Sequence, residues 1–169
     1  MTINDANRIV MKLVGEDDFH DVEDILTSYY DLAQVELATT AAPIEKSFKA
    51  ESGVVKLPDD FYRLKSIDTG YTRKDNGHIE LETDGTVKYY AYPVRLKDDT
   101  DKSTEFEISP EAQQAIPYYA AARIVLADSD MRRYYAFTEL YSGIVSTIAQ
   151  NNSSASVMTV VELEGMSGV

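Results

Sequence analysis

Apolar residues recur at helical spacing at both ends of this chain and mostly at spacing two in its middle. Over 2–14, Ile3, Ala6, Val10 and Leu13 share one helical face, and Gly15 ends the run. A second helix is predicted over 17–38, with Phe19, Val22, Leu26, Tyr29 and Ala33 inward. Glu16, Asp17, Asp18 and Asp21 crowd its start, where the helix dipole favours negative charge. From 44 to 108 the pattern turns to short strands. Runs at 47–50 and 54–57 flank Glu51-Ser52-Gly53, a hairpin signal. Asn76-Gly77 marks another turn. Runs at 78–81 and 87–92 around Thr83-Asp84-Gly85 read as a second hairpin, and 104–108 as a last strand.

Ser109-Pro110-Glu111 opens a third helix, 109–128, with an N-cap serine and proline at the first helical position. Pro117 predicts a kink or a delayed start. The fourth helix, 130–150, places Tyr134, Phe137, Tyr141, Ile144 and Ile148 in one narrow seam, enough for a single packing partner. Asn151-Asn152-Ser153-Ser154 reads as its stop. The remainder, 151–169, then reads as an extended tail whose apolar part holds Val157, Met158, Val160, Val161 and Leu163. An exposed strand invites pairing with another chain, which points to an assembly part rather than an enzyme. The predicted class is therefore α+β. A bundle of two N-terminal and two C-terminal helices forms one domain over 1–150. A central antiparallel β lobe, 44–108, projects from it, and the tail extends beyond.

Composition narrows the functions. The chain has 169 residues, no cysteine and a formal net charge of −13. Disulfides, thiolate metal sites and cysteine nucleophiles are thereby excluded. Like charge opposes tight general binding to a phosphate backbone. No apolar run approaches a membrane span, and the polar start lacks a signal-peptide core, so synthesis in the cytoplasm and no membrane partner are expected.

Candidate chemistry is sparse. His20 and His78 have no second ligand at metal spacing. Asp99, Asp101, Ser103 and Glu105 alternate oxygens like a calcium loop, but the sixth position lacks glycine and Pro110 stands where a bidentate glutamate belongs. A metal-assisted hydrolase using Asp99, Asp101 and Glu105 is thus the weakest of three readings. Asp59 and Asp60 are neighbours that an extended chain points to opposite sides. Twelve tyrosines, several in doublets, put rings on the surface as well as inside, as interfaces favour. No catalytic residue, metal or cofactor is assigned.

Leu57-Pro58-Asp59-Asp60-Phe61-Tyr62-Arg63-Leu64, entering a strand after two helices, resembles a segment of many phage head–tail connector (adaptor) proteins. So does Ile116-Pro117-Tyr118-Tyr119-Ala120-Ala121-Ala122-Arg123-Ile124-Val125-Leu126-Ala127, followed by Asp130-Met131-Arg132-Arg133-Tyr134-Tyr135. The resemblance spans about residues 1–150. Many compact members are nearly all helical, so the β lobe fits the variants that carry one. It implies a structural virion protein in a homo-oligomeric ring, commonly of twelve subunits, beneath the portal protein. The ring would continue the channel for genomic DNA without binding it specifically and meet the next neck or tail-completion protein. It also implies that the tail docks on the portal, often as an added strand. Tyr118, Tyr119, Arg132, Arg133 and Tyr135 are then the candidate subunit contacts. The competing reading is a monomeric protein-binding module that uses the β lobe.

Overall fold

The computed structural model describes residues 1–165 except Asn76, with side chains described through Asn152 apart from Glu16. The chain is α+β and divides into a helical unit, Met1–Ala42 with Arg95–Val169, and a β unit, Pro43–Val94.

In the helical unit, α1 (Ile3–Val14) starts at a reciprocal cap. The Asp5 amide donates to Thr2 Oγ1 at 3.1 Å, and the Thr2 amide donates to Asp5 Oδ2 at 2.9 Å. It ends at Gly15, whose φ of 103° suits only glycine. Its buried face is Ile3, Ala6, Val10 and Val14 rather than Leu13. The expected helix 17–38 is two: α2 (Glu16–His20) and α3 (Glu23–Thr40). Val22 leaves helical geometry between them, at φ −125° and ψ 2°. A fresh helix start puts Glu23 and Asp24 in a first turn, where the backbone amides favour their charge. The buried face of α3 includes Leu26, Tyr30, Ala33 and Leu37, so Tyr30 enters the core in place of Tyr29. Its hydroxyl donates to Asn7 Oδ1 at 2.9 Å.

The β unit has β1 (Ile44–Ala50), β2 (Gly53–Lys56), β3 (Phe61–Ile67), β4 (Tyr71–Arg73), β5 (His78–Leu81) and β6 (Gly85–Ala91). They form two antiparallel sheets, ordered β1-β6-β3 and β2-β5-β4. Neither expected hairpin forms. β1 and β2 lie in different sheets, as do β5 and β6, so Glu51-Ser52 and Thr83-Asp84 are corners between sheets. The hairpin is instead β4–β5, closed by the Lys74 amide donating to the His78 carbonyl at 3.0 Å.

Register explains why. Lys56 lies opposite His78, yet Phe61 lies opposite Ala91. On a straight strand those positions would be about 43 Å apart, whereas the short link from Lys56 to Phe61 spans about 18 Å at most. The strands must therefore fold at their corners and lay one sheet over the other. Leu57, Ile79, Leu81 and Val87 are buried between them, with Phe48, Ala50, Val55, Phe61, Leu64 and Ile67 packed around. Two bulges in β3 turn Phe61, Leu64 and Ile67 inward at a spacing of three. Gly85 sits at a corner where a Cβ would lie 2.6 Å from Asp68 Oδ1. Ile44 pairs with Ala91, so the β unit opens and closes on adjacent strands.

The expected strand 104–108 is absent, save for an isolated bridge between Thr2 and Glu105. Segment 95–108 belongs to the helical unit. Side-chain ties replace a sheet there. Asp31, buried on α3, accepts from Arg95 Nε at 2.7 Å and from the Leu96 amide at 2.8 Å. Gln113 Nε2 donates to the carbonyls of Phe106 and Ile108, each at 2.9 Å.

The third predicted helix also divides, into α4 (Pro110–Gln113) and α5 (Ile116–Ala127). Pro117 lacks the N–H that a continuous helix would direct at Gln113, so the chain breaks at Gln114-Ala115. α5 packs against α1, α3 and α6 (Met131–Gly165), which accounts for its being apolar nearly all round. Between α5 and α6 the Asp130 amide donates to Val125 (2.9 Å) and the Ser129 amide to Leu126 (3.0 Å). This is a Schellman end with Ser129 in the left-handed region, φ 62°.

α6 does not stop at Asn151. It continues to Gly165, 35 residues in all, which corrects the extended tail expected over 151–165. There is no proline in this stretch, and no glycine lies between Gly143 and Gly165. Asn, Ser and β-branched residues each cost a helix less than about 0.7 kcal/mol relative to alanine, while a nucleated helix needs only to propagate. Asn152 acts sideways instead, donating from Nδ2 to the carbonyl of Ala41 at 2.7 Å, beyond the end of α3.

Candidate interaction surfaces

Where α3, α5 and α6 meet, a pocket of about 200 Å³ is lined by Glu36, Tyr119, Arg123, Tyr134, Thr138 and Tyr141, among others. The Tyr119 and Tyr141 rings meet edge to face, with centroids 5.4 Å apart. The Arg123 guanidinium lies 4.9 Å above the Tyr119 ring and donates to its hydroxyl at 3.3 Å. Tyr141 donates to Glu36 at 2.7 Å. Burial, reinforced by that bond, pushes the Tyr141 hydroxyl well above its ordinary pKa. The arrangement is a polar-tipped aromatic packing site, with no nucleophile paired to a base.

The five candidate contact residues divide. Tyr119 is 9% exposed and engaged in this pocket. Arg133 is occupied within the chain, donating to Asp130 at 2.7 Å, to the Val14 carbonyl at 2.8 Å and to Asp18 at 3.3 Å. It ties the first turn of α6 to the end of α1. Tyr118 is half-buried, while Arg132 and Tyr135 are exposed, Tyr135 at 64%.

The expected seam of α6 faces inward: Phe137 and Ile148 are buried, and Tyr134, Tyr141 and Ile144 half-buried. Sequence reading did not single out the opposite face. Arg132, Ala136, Glu139, Gly143, Ser146 and Gln150 repeat at the same alternation of four and three, and all are exposed. A Cβ built on Gly143 would meet nothing within 4 Å. The signal was present in the spacing but carried by small and polar residues, which a search for apolar periodicity passes over.

In the tail, Val157, Met158, Val160, Val161 and Leu163 lie on helical backbone, and their side chains are outside the described residues. A strand offered by these residues is not what the chain adopts alone.

The remaining candidates are structural. Asp60 accepts from Lys46 Nζ at 2.8 Å and from the Tyr89 hydroxyl at 3.0 Å, whereas Asp59 faces outward to Lys56. Burial pushes the Asp60 carboxyl up, but the hydrogen bonds from Lys46 and Tyr89 and the lysine charge outweigh it and hold it below the ordinary value. Asp101 Oδ1 accepts from the Ser103 amide at 2.8 Å, a turn contact that lowers its pKa. Among the described residues, no three histidine or acidic side chains gather as metal ligands, so Asp99, Asp101 and Glu105 are not brought together as a metal set. None of the described helices is long and apolar enough to cross a membrane. No protein-family model matches the chain, and no curated protein matches it.

Proposed function

We propose that the chain is a head–tail adaptor subunit: a structural virion protein, not an enzyme, that forms a ring beneath a phage portal. The observation that carries the reading is α6. One face packs on its own unit, and on the opposite face the small Ala136, Gly143 and Ser146 alternate with the longer Arg132, Glu139 and Gln150 in a second seam at the same spacing. Such a seam admits close approach of a neighbouring helix. α6 also spans about 52 Å against about 18 Å for α5, from which it follows that much of its length outruns its main partner. In this reading the helices form the bundle of the ring wall, the β unit projects as a lobe, and Arg132, Tyr135 and Tyr118 touch the next subunit. The C-terminal part of α6 docks on the portal as a helix, not as an added strand. Genomic DNA passes through an acidic channel, and the next neck protein binds the far side.

The test is imaging of the portal mixed with this chain. Added ring density on the portal supports the reading, and its absence with full-length chain across several salt conditions rejects it. Removing 151–169 should abolish the added density while the domain stays folded. A second reading, a monomeric binding module, has one feature in its favour. The β3 and β4 edges of the two sheets leave an open mouth of about 400 Å³, lined by Phe61, Leu64, Ile67, Tyr71, Arg73 and Ile79, among others. A single-sized monomer at high concentration that adds nothing to the portal would favour it.

A further inference from the structure

Charge is divided unequally between the two units. The β unit holds nine acidic and eight basic residues, close to neutral, whereas the helical unit holds twenty acidic and eight basic ones. Nearly the whole excess of negative charge is therefore helical. Within the β unit, the alternation of the strands sorts charge further. Val87, Tyr89 and Ala91 of β6 are buried, so Lys88 and Tyr90 face outward. Register then places Glu45 beside Tyr90 from β1, and Arg63 beside it from β3. Lys49, two residues beyond Ser47, shares that outer face. Lys65, at a bulge, reaches it too. Its ammonium lies 5.8 Å from the Tyr90 ring centroid and pairs with Glu45. The Arg63 guanidinium covers the same ring at 4.9 Å.

The outer face of the β1-β6-β3 sheet thus carries four cations and one acid on a chain of net charge −13. Lys49 and Lys88 are exposed. Arg63 and Lys65 are held against a ring, which fixes where their charge sits. A basic face on so acidic a molecule has an obvious complement, the helical unit of another copy. Exposed acids there include Asp17, Asp21, Glu23 and Asp24, a run with no lysine or arginine among them.

We infer that this sheet face docks the acidic helical unit of a second copy, head to tail. The inference rests on the ring reading above, since it names one contact by which neighbouring subunits touch. A contact between unlike surfaces is heterologous, which is the kind that closes rings. Nucleic acid is the less favoured occupant. Tyr90, the aromatic ring among these cations, is covered by Arg63 and Lys65 and is not open for a base to stack on. Because both surfaces are charged and exposed, the contact is screened by salt. Its dissociation constant should rise on the order of tenfold between low and high ionic strength.

Sedimentation velocity on the full chain tests this. Wild type should associate at 50 mM salt and separate at 500 mM, values chosen to lie about either side of the 10 Å Debye length at 0.1 M. K49E/K88E should be monomeric throughout, and so should D17K/D21K/D24K. Neither double nor triple variant touches a buried side chain, and circular dichroism checks their folding. Mixed together, the two variants should associate again, because the acidic unit of one meets the basic sheet of the other and the two reversed patches are complementary as well. A wild type that stays monomeric at 50 mM salt and high concentration overturns the inference, as does a mixture that fails to pair. So does retention of a labelled DNA duplex or single strand by wild type but not by K49E/K88E, which assigns the face to nucleic acid. Portal imaging keeps the two ideas apart. Ring density from K49E/K88E equal to that of wild type would sink the sheet contact and leave the adaptor reading standing. Head-to-tail association without any portal density would do the reverse.

Discussion

The helical unit and the β unit are held together by different means. In the helical unit, α5 buries eight of its twelve residues among three neighbouring helices. Among the described residues of the β unit, Leu57, Ile79, Leu81 and Val87 form the shared core, Tyr89 and Ala91 of β6 are buried beside it, and the mouth between β3 and β4 stays open. What the β unit lacks in apolar burial it replaces with polar ties at its margins, among them Lys46, Tyr89 and Asp60. The difference teaches where each unit is vulnerable. Cavities should hurt the helical unit most, whereas the β unit should be the more sensitive to acid.

The largest effect should come from Ile124→Ala on α5, at 1% exposure. A loss of about 2–5 kcal/mol is expected in urea unfolding followed by helical circular dichroism. Ile79→Ala should fall at the low end, about 2 kcal/mol, because its site borders the open mouth and can relax. Equal losses would remove the contrast. Asp31→Ala should follow, at about 1–3 kcal/mol, since it leaves the Leu96 amide without its carboxylate partner in a buried position. Asp31→Asn should recover part of that loss.

Asp60→Asn should cost about 1 kcal/mol near neutral pH. Its distinguishing mark is the pH profile. A carboxyl held below its unfolded pKa contributes stability that is present above the unfolded value and is lost as pH falls through the folded one. The wild type should therefore lose stability below about pH 4 more steeply than D60N. Parallel acid limbs would remove Asp60 as the tie. The smallest effect should be a gain. Ser129→Gly relieves a left-handed residue at the Schellman end of α5 and should add about 0.5–1 kcal/mol, read as a rise in Tm.

Much of this division could be read from the residues. Thr2 with Asp5, Gly15, Ser109-Pro110 and the inward seam of α6 are local signals, and the local structure obeys them. Other features depend on distant partners. Whether Glu51-Ser52 makes a reversal or a corner is decided by the four residues that join β2 to β3, not by the turn itself. Tyr29 and Tyr30 are equivalent in pattern, and only the break at Val22 sets which ring goes inward. Arg133 and Tyr119 looked available because their partners, Val14, Asp18, Arg123 and Tyr141, come from other turns and elements. The Asn151-Asn152 doublet carried a stop signal that a neighbouring helix end redirected. The second seam of α6 was legible only once one face was known to be taken.

The pairing of Ile44 with Ala91 has a further consequence. Paired residues on adjacent antiparallel strands have Cα atoms about 5 Å apart, so the whole β unit is spliced into its host at what amounts to a single point. An insertion with abutting ends adds little to the chain entropy of the scaffold that carries it. Such a cassette can be exchanged, enlarged or cut back to a short linker while the helices remain as they are, leaving one lineage free to vary what it displays without rebuilding its frame.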